Sequence, residues 1–282
     1  MIYLLLSIVC SVSIAHIFKY AEEKTLPVFG LFAVNYIMGS LVAAGGCEST
    51  FWQDLSLPLV GMGILAGILF VGSYVLMVLA MKHLGVTIPV SLMRLSAVLP
   101  TFGSILLFAE IPKPLQIVGI ALAFFSLPLA SQERLPLSNL SRICHNGFGL
   151  GLMLFVVFGI TNFVFKVQRE LFPLDNPYHF LAIIFPTAFL VSMIMVVHQK
   201  IPPSKVIGGV GVVLGIINLF SSYFFMKALQ VFPGMVVYPI NGIGIILGSA
   251  VTSLFLWKER LTRTNYIFIA LASLALVMIY PR

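Results

Sequence analysis

Residues 59–81 read LVGMGILAGILFVGSYVLMVLAM, a run with no charged side chain. At about 1.5 Å per residue, a helix of that length crosses the ~30 Å hydrocarbon core of a bilayer. The apolar residues do not alternate, so the run is not a strand of a transmembrane barrel. They also cover every face, so the helix has no side meant for water. Either lipid or a large protein interior must solvate it. Composition decides between the two. The 282 residues are 60% hydrophobic and 9% charged, with a mean hydropathy of +1.09. Soluble domains carry roughly 25% charged residues, enough to cover a wet surface. This chain has too few, and lipid is its solvent.

Working outward, nine further stretches have the same character: 2–18, 27–46, 86–108, 114–130, 147–165, 178–198, 207–228, 234–257 and 265–280. The first and fifth are on the short side for a span. The expected fold is an all-α integral membrane protein of ten transmembrane helices. The N-terminal stretch lacks the basic leader and small-residue cleavage site of a signal peptide, so it reads as a retained span. The longest polar connection, SQERLPLSNLSRICHN at 131–146, falls near the middle. It divides the chain into a first five-helix repeat (1–130), a connecting loop (131–146) and a second five-helix repeat (147–282).

Internal matches support that division. One constant offset, without a gap, aligns Ser73-Tyr74 with Ser222-Tyr223, Met77 with Met226 and Gly85 with Gly234. The same offset aligns Ser104 with Ser253, Leu107 with Leu256 and Glu110 with Glu259. Apolar matches are cheap in such a chain, but the Ser-Tyr, Gly and Glu matches carry weight. At an offset shorter by two residues, Phe18-Lys19 echoes Phe165-Lys166. Five spans per half is an odd number, so the second copy enters the membrane upside down. Inverted repeats are the architecture of alternating-access carriers, with the site near the midplane where the repeats meet.

Three segments carry a resemblance. They are Trp257-Lys-Glu-Arg-Leu-Thr before the last helix, Ala80-Met-Lys-His-Leu-Gly before the fourth, and Phe108-Ala-Glu after it. In order and spacing the chain resembles the drug/metabolite transporter superfamily, and within it the ten-helix EamA-like branch. The resemblance implies a secondary transporter, specifically an exporter of small organic solutes, in a bacterial-type inner membrane with both termini inside. Many relatives carry an Arg in the second helix where this chain reads Ala33-Val-Asn-Tyr-Ile, so an amino-acid substrate does not carry over. The positive-inside count points the other way on orientation. Ten Lys and Arg flank the odd-numbered connections and five flank the even side, which places the termini outside.

The candidate substrate-binding residues are Arg94, Asn162, Lys166, Tyr74, Tyr223, Tyr238, Asn241, Asn218 and His16. Arg94 lies about eight residues into the fourth span, roughly 12 Å deep. A cation at that depth costs at least ~2.5 kcal/mol and ordinarily faces a cavity or a partner. Its other reading is a side chain snorkelling to a headgroup. Pro89 and Pro100 bracket it, and Pro239 and Gly242 stand in the matching ninth span. These four are the expected helix breaks or hinges. Asn162 lies one turn before Lys166, so the two form a potential cavity-facing pair. Alternatively Lys166, like Lys19, anchors a helix end. His16 could titrate near neutrality or simply pack. The tyrosines and asparagines line a pocket or join helices. Glu110 and Glu259 are the family-motif carboxylates, expected at helix ends in a structural role, with proton transfer as the alternative. Gly63-xxx-Gly67 and Gly211-xxx-Gly215 offer flat faces for close helix approach.

Several chemistries find no support. The three cysteines show no CxxC or Cys/His spacing, so neither a metal site nor a cofactor is expected. HExxH, GxSxG and the phosphate-binding GxxxxGK[ST] loop are missing, so the chain reads as neither an enzyme nor an ATP-driven pump. The net charge of +7 is scattered singly at span edges, which argues against nucleic acid. All nine acidic residues fall in loops or at helix ends, so an anionic, zwitterionic or neutral metabolite is favoured over an organic cation. The expected partners are therefore a small-molecule metabolite and membrane lipids. A coupling proton or ion and the oligomeric state are left open. The competing readings are a non-transporting structural or receptor-like membrane protein and a membrane-embedded lipid-modifying enzyme.

Overall fold

The computed structural model describes residues 1–48, 55–84, 87–127, 148–173, 175–256, 258 and 263–280. The expected connecting loop at 131–146 and the motif residue Glu259 lie outside them. The described residues form helices α1 (Ile2–Glu23), α2 (Val28–Gly45), α3 (Leu57–Leu84), α4 (Thr87–Leu95), α5 (Val98–Leu107), α6 (Pro114–Ser126), α7 (Phe148–Leu171), α8 (Pro177–His198), α9 (Lys205–Val231), α10 (Gly234–Leu256) and α11 (Arg263–Ile279).

Eight of the helical runs are long and apolar enough to cross a membrane, counting 88–107 as one. The molecule is a multi-pass membrane protein. Leu41, Ile68, Leu106, Phe125, Ile194 and Phe255 all stand exposed on helix surfaces, where water would penalise them and acyl chains do not. The fifth and tenth expected spans fold as the shorter apolar helices α6 and α11, of 13 and 17 residues. The fourth expected span is two helices, not one. Pro100 has no N–H for the Ser96 carbonyl, and its ring would clash with that oxygen in a continuous helix. The chain therefore breaks at Ser96–Ala97 and restarts, which puts Pro100 in the first turn of α5, where no N–H is needed. Pro89 likewise sits in the first turn of α4.

Helix ends overrun the apolar edges read from sequence. α1 continues through Lys19 and Tyr20 to Glu23, since helical hydrogen bonding does not stop where hydropathy falls. It stops before Pro27, with Thr25 in the left-handed region at φ 51°.

The chain divides into two compact units, with boundaries inside α3 and α7. The first holds Met1–Val71 and Val167–Gln230; the second holds Gly72–Lys166 and Val231–Arg282. Each unit thus draws on both halves of the sequence.

In the first unit α2 packs along α8, with Tyr36 edge-on to Phe185 at 5.8 Å between ring centroids. Gly67 lets α3 approach the α8 backbone: a methyl group there would sit 2.7 Å from the Ile184 carbonyl oxygen. Gly215 plays the same part between α9 and α2, against Asn35 and Met38. Polar side chains join the same helices. Asn218 Nδ2 donates to Asn35 Oδ1 at 3.2 Å, and Ser7 Oγ donates to the Ser221 carbonyl at 3.0 Å. In lipid the hydrophobic effect does not draw helices together, so close packing and such bonds do so.

In the second unit α6 packs on α11, and α10 contacts α5, α6 and α11. Gln116 ties that arrangement together. Its Oε1 accepts the Lys113 N–H at 3.0 Å at the start of α6, and its Nε2 donates to the Ile279 carbonyl at 3.2 Å.

Candidate functional site

The site builds up from the N-terminus of α10. The first N–H groups of a helix have no acceptor within it and carry the positive end of the helix dipole. Here a carboxylate from the α5–α6 connection fills that role. Glu110 Oε1 accepts from the Gly234 N–H and Oε2 from the Met235 N–H, both at 2.7 Å. Ala109, in the left-handed region at φ 52°, turns the chain at the residue before Glu110. Gly234 is required by crowding, since a methyl group there would collide with Ser104 Oγ and lie 3.3 Å from Lys166 Cδ.

Lys166 of α7 completes the constellation. Its Nζ lies 2.6 Å from Glu110 Oε1, with the two side chains only 3% and 11% exposed. The ammonium also stands 5.4 Å from the centroid of the Phe108 ring, on whose face a cation is attracted. An isolated charge this buried would be prohibitive, while a pair with its remaining lone pairs satisfied is sustainable. Lys166 is therefore no headgroup anchor. It sits five residues short of the end of α7, roughly 7 Å along the axis.

One turn back, Asn162 turns its amide onto its own helix, donating to the Phe158 carbonyl at 2.9 Å. The Asn162 carbonyl accepts the Tyr238 hydroxyl at 2.9 Å, which pins α10 to α7. Asn241 follows Tyr238 one turn further along α10, and its Oδ1 is buried without a hydrogen-bond partner among the described residues. Beside it Gly242 faces open space. α10 runs through Pro239 and Gly242 without interruption, unlike the helix break expected there.

Arg94 stands apart from this cluster, in the last turn of α4. Its neighbours Leu92 and Met93 pack against Leu76, Ala80, Leu154 and Phe158. From Gly151, which faces Leu92, to Lys166, α7 rises roughly 20 Å. The Arg94 guanidinium makes no hydrogen bond or ion pair among the described residues; the negative end of the α4 dipole lies beside it. Between the two levels, Tyr74 meets Phe158 edge-on at 5.9 Å, and Ser73 Oγ lies 3.0 Å from Thr161 Oγ1.

Three sequence candidates belong to the other unit. Asn218 is bonded to Asn35, the Tyr223 ring lies tilted against Tyr178 at 4.5 Å between centroids with Lys227 Nζ 5.8 Å from the Tyr223 centroid, and His16 lines a groove of its own. The sequence reading missed Phe108 and Ser104 as site residues and did not pair Glu110 with Lys166. The Phe108-Ala-Glu110 recurrence was the available signal, but it names no partner.

No family model matches the chain. It is 28% identical over 294 aligned positions to an uncharacterized protein of Haemophilus influenzae, covering 98% of this chain and 97% of that one. A solved crystal structure matches with a TM-score of 0.78 at 15% identity, over 99% of this chain and 96% of the other. At that identity the likeness concerns fold alone: this chain has the same helical arrangement over essentially its whole length.

Proposed function

We propose that this protein is a secondary transporter that moves a small organic metabolite, anionic, zwitterionic or neutral, across a cell membrane by alternating access. The observation that carries the reading is the buried Glu110–Lys166 pair clamped on the first turn of α10. Ionisable residues buried in a membrane protein are costly and mark substrate or ion pathways by default. A purely structural membrane helix bundle needs neither the pair nor a broken helix with an arginine in its last turn that has no partner among the described residues.

Two further features support it. The α4–α5 break places Arg94 at a helix C-terminus inside the span, and interrupted helices are the usual builders of transport sites. The clamp is also made from residues that recur in the sequence: Glu110 matches Glu259, and Gly234 matches Gly85. An inverted duplication of five helices accounts for that recurrence, and it is the reading under which the drug/metabolite transporter resemblance, an exporter role and an inner-membrane location follow. In this scheme Arg94 and Asn241 offer a cation and a free acceptor to the solute. The Glu110–Lys166 clamp opens and closes one end of its path.

The test is a thermal-shift screen of the purified protein against a metabolite library, followed by counterflow of each hit in proteoliposomes. The wild type should move at least one hit, and Arg94→Ala should abolish that movement while still inserting. Vesicles that contain folded protein but exchange no stabilising metabolite would overturn the proposal.

A further inference from the structure

A second feature, in the other unit, has nothing to do with the clamp. A groove of about 380 Å³ opens between α1 and α9, lined by His16, Ile17, Tyr20, Gly209, Val210 and Val213. That volume falls in the range of small-molecule sites. Its floor is packed core, because Ile17 and Val210 rest on the cluster of Ala21, Leu31, Ile207 and Leu214. The groove exists because Gly209 contributes no side chain, and nothing lies within 4 Å of where its Cβ would be.

The residues form two ladders in steps of four, the spacing that stacks side chains on one helix face. On α1 the rungs are His16, Tyr20 and Lys24; on α9 they are Val213, Gly209 and Lys205. Each ladder ends in a lysine at the helix terminus. Lys24 Nζ lies 6.0 Å from the Tyr20 ring centroid, so a cation stands at the mouth of the groove. Lys205 opens α9, where the helix dipole disfavours a cation, and no acidic side chain occupies that first turn to offset it. An anion placed there meets both the lysine and the free N–H groups of the helix. Lys19 and Lys200 add positive charge at this end, against Glu22 and Glu23. The groove thus runs from a basic rim at the ends of α1 and α9 to an apolar floor further along the two helices.

We infer that this groove holds an anionic phospholipid, with one acyl chain along Gly209 and Val213 and the phosphate between Lys24 and Lys205. Basic residues at a helix end above an apolar cleft are the chemistry that selects such headgroups.

Native mass spectrometry of the protein purified in mild detergent, with phosphatidylglycerol or phosphatidylethanolamine added back, tests the site. The wild type should retain a bound lipid and prefer phosphatidylglycerol. Gly209→Leu fills open space, so it should keep the fold and lose the lipid. The double variant Lys24→Gln/Lys205→Gln should keep a chain in the groove while its headgroup preference falls by about thirtyfold, the effect of two lysines beside an anionic surface. Lipid retention by Gly209→Leu, or an unchanged preference in the lysine variant, would overturn the inference. So would a wild type that holds no lipid but self-associates through this face.

Discussion

At the scale of single residues, the clamp makes the sharpest predictions. Removing one member of a buried ion pair strands the other, at a cost of about 3–5 kcal/mol. Lys166→Met should therefore lower the thermal midpoint in detergent sharply. Glu110→Gln should do so too, because it loses the ion pair and one acceptor for the α10 N–H groups. The double variant Glu110→Gln/Lys166→Met should recover much of the loss, since no charge is then stranded. Additive losses in that cycle would mean the pair is not energetically coupled. Gly234→Ala should destabilise by roughly 1–3 kcal/mol through overpacking against Ser104. Ser104→Ala in the same chain should return part of that by removing the colliding hydroxyl.

At the scale of elements, the four expected break positions divide by context. A proline is cheap in the first turn of a helix and expensive beyond it. Pro89 and Pro100 both occupy first turns, the latter only because α4 and α5 part at Ser96–Ala97. Pro239 is the sixth residue of α10, yet that helix does not part. Its start is fixed from outside by Glu110, which no reading of residues 234–256 alone could supply. Pro100→Ala restores an N–H for the Ser96 carbonyl and should fuse α4 to α5. Hydrogen exchange should show the amides at positions 98 and 100 protected as helical ones, with the midpoint rising and transport of any confirmed solute falling. If those amides exchange as before, something other than Pro100 maintains the break.

At the scale of the whole molecule, the path through the membrane depends on whether the short helices α6 and α11 also cross. If every helical run from α1 to α11 crosses once, counting α4 and α5 together, cysteines placed at Thr25 and Lys200 should label from one side. Cysteines at Ile111 and Asp175 should label from the other. Replacing the native Cys10, Cys47 and Cys144 first makes the readout clean. Ile111 and Asp175, which flank α6 and α7, labelling from opposite sides would remove the α6 crossing and, with it, the odd number of spans on which an inverted second half depends.

Much of this molecule was legible in its sequence. Hydropathy over about 20 residues is a local property, summed along the chain, and it located every helix apart from the α4–α5 break. Lipid solvation followed because 9% charged residues cannot coat a wet surface. The packing face of Gly63 and Gly67 came from local spacing alone. What the tertiary structure alone decided is which polar groups meet. Glu110 caps a helix 124 residues further along the chain, and the same carboxylate neutralises a lysine that the sequence offered either as a substrate-binding residue or as a helix-end anchor. Pairings of that kind depend on three-dimensional proximity, which no periodicity encodes.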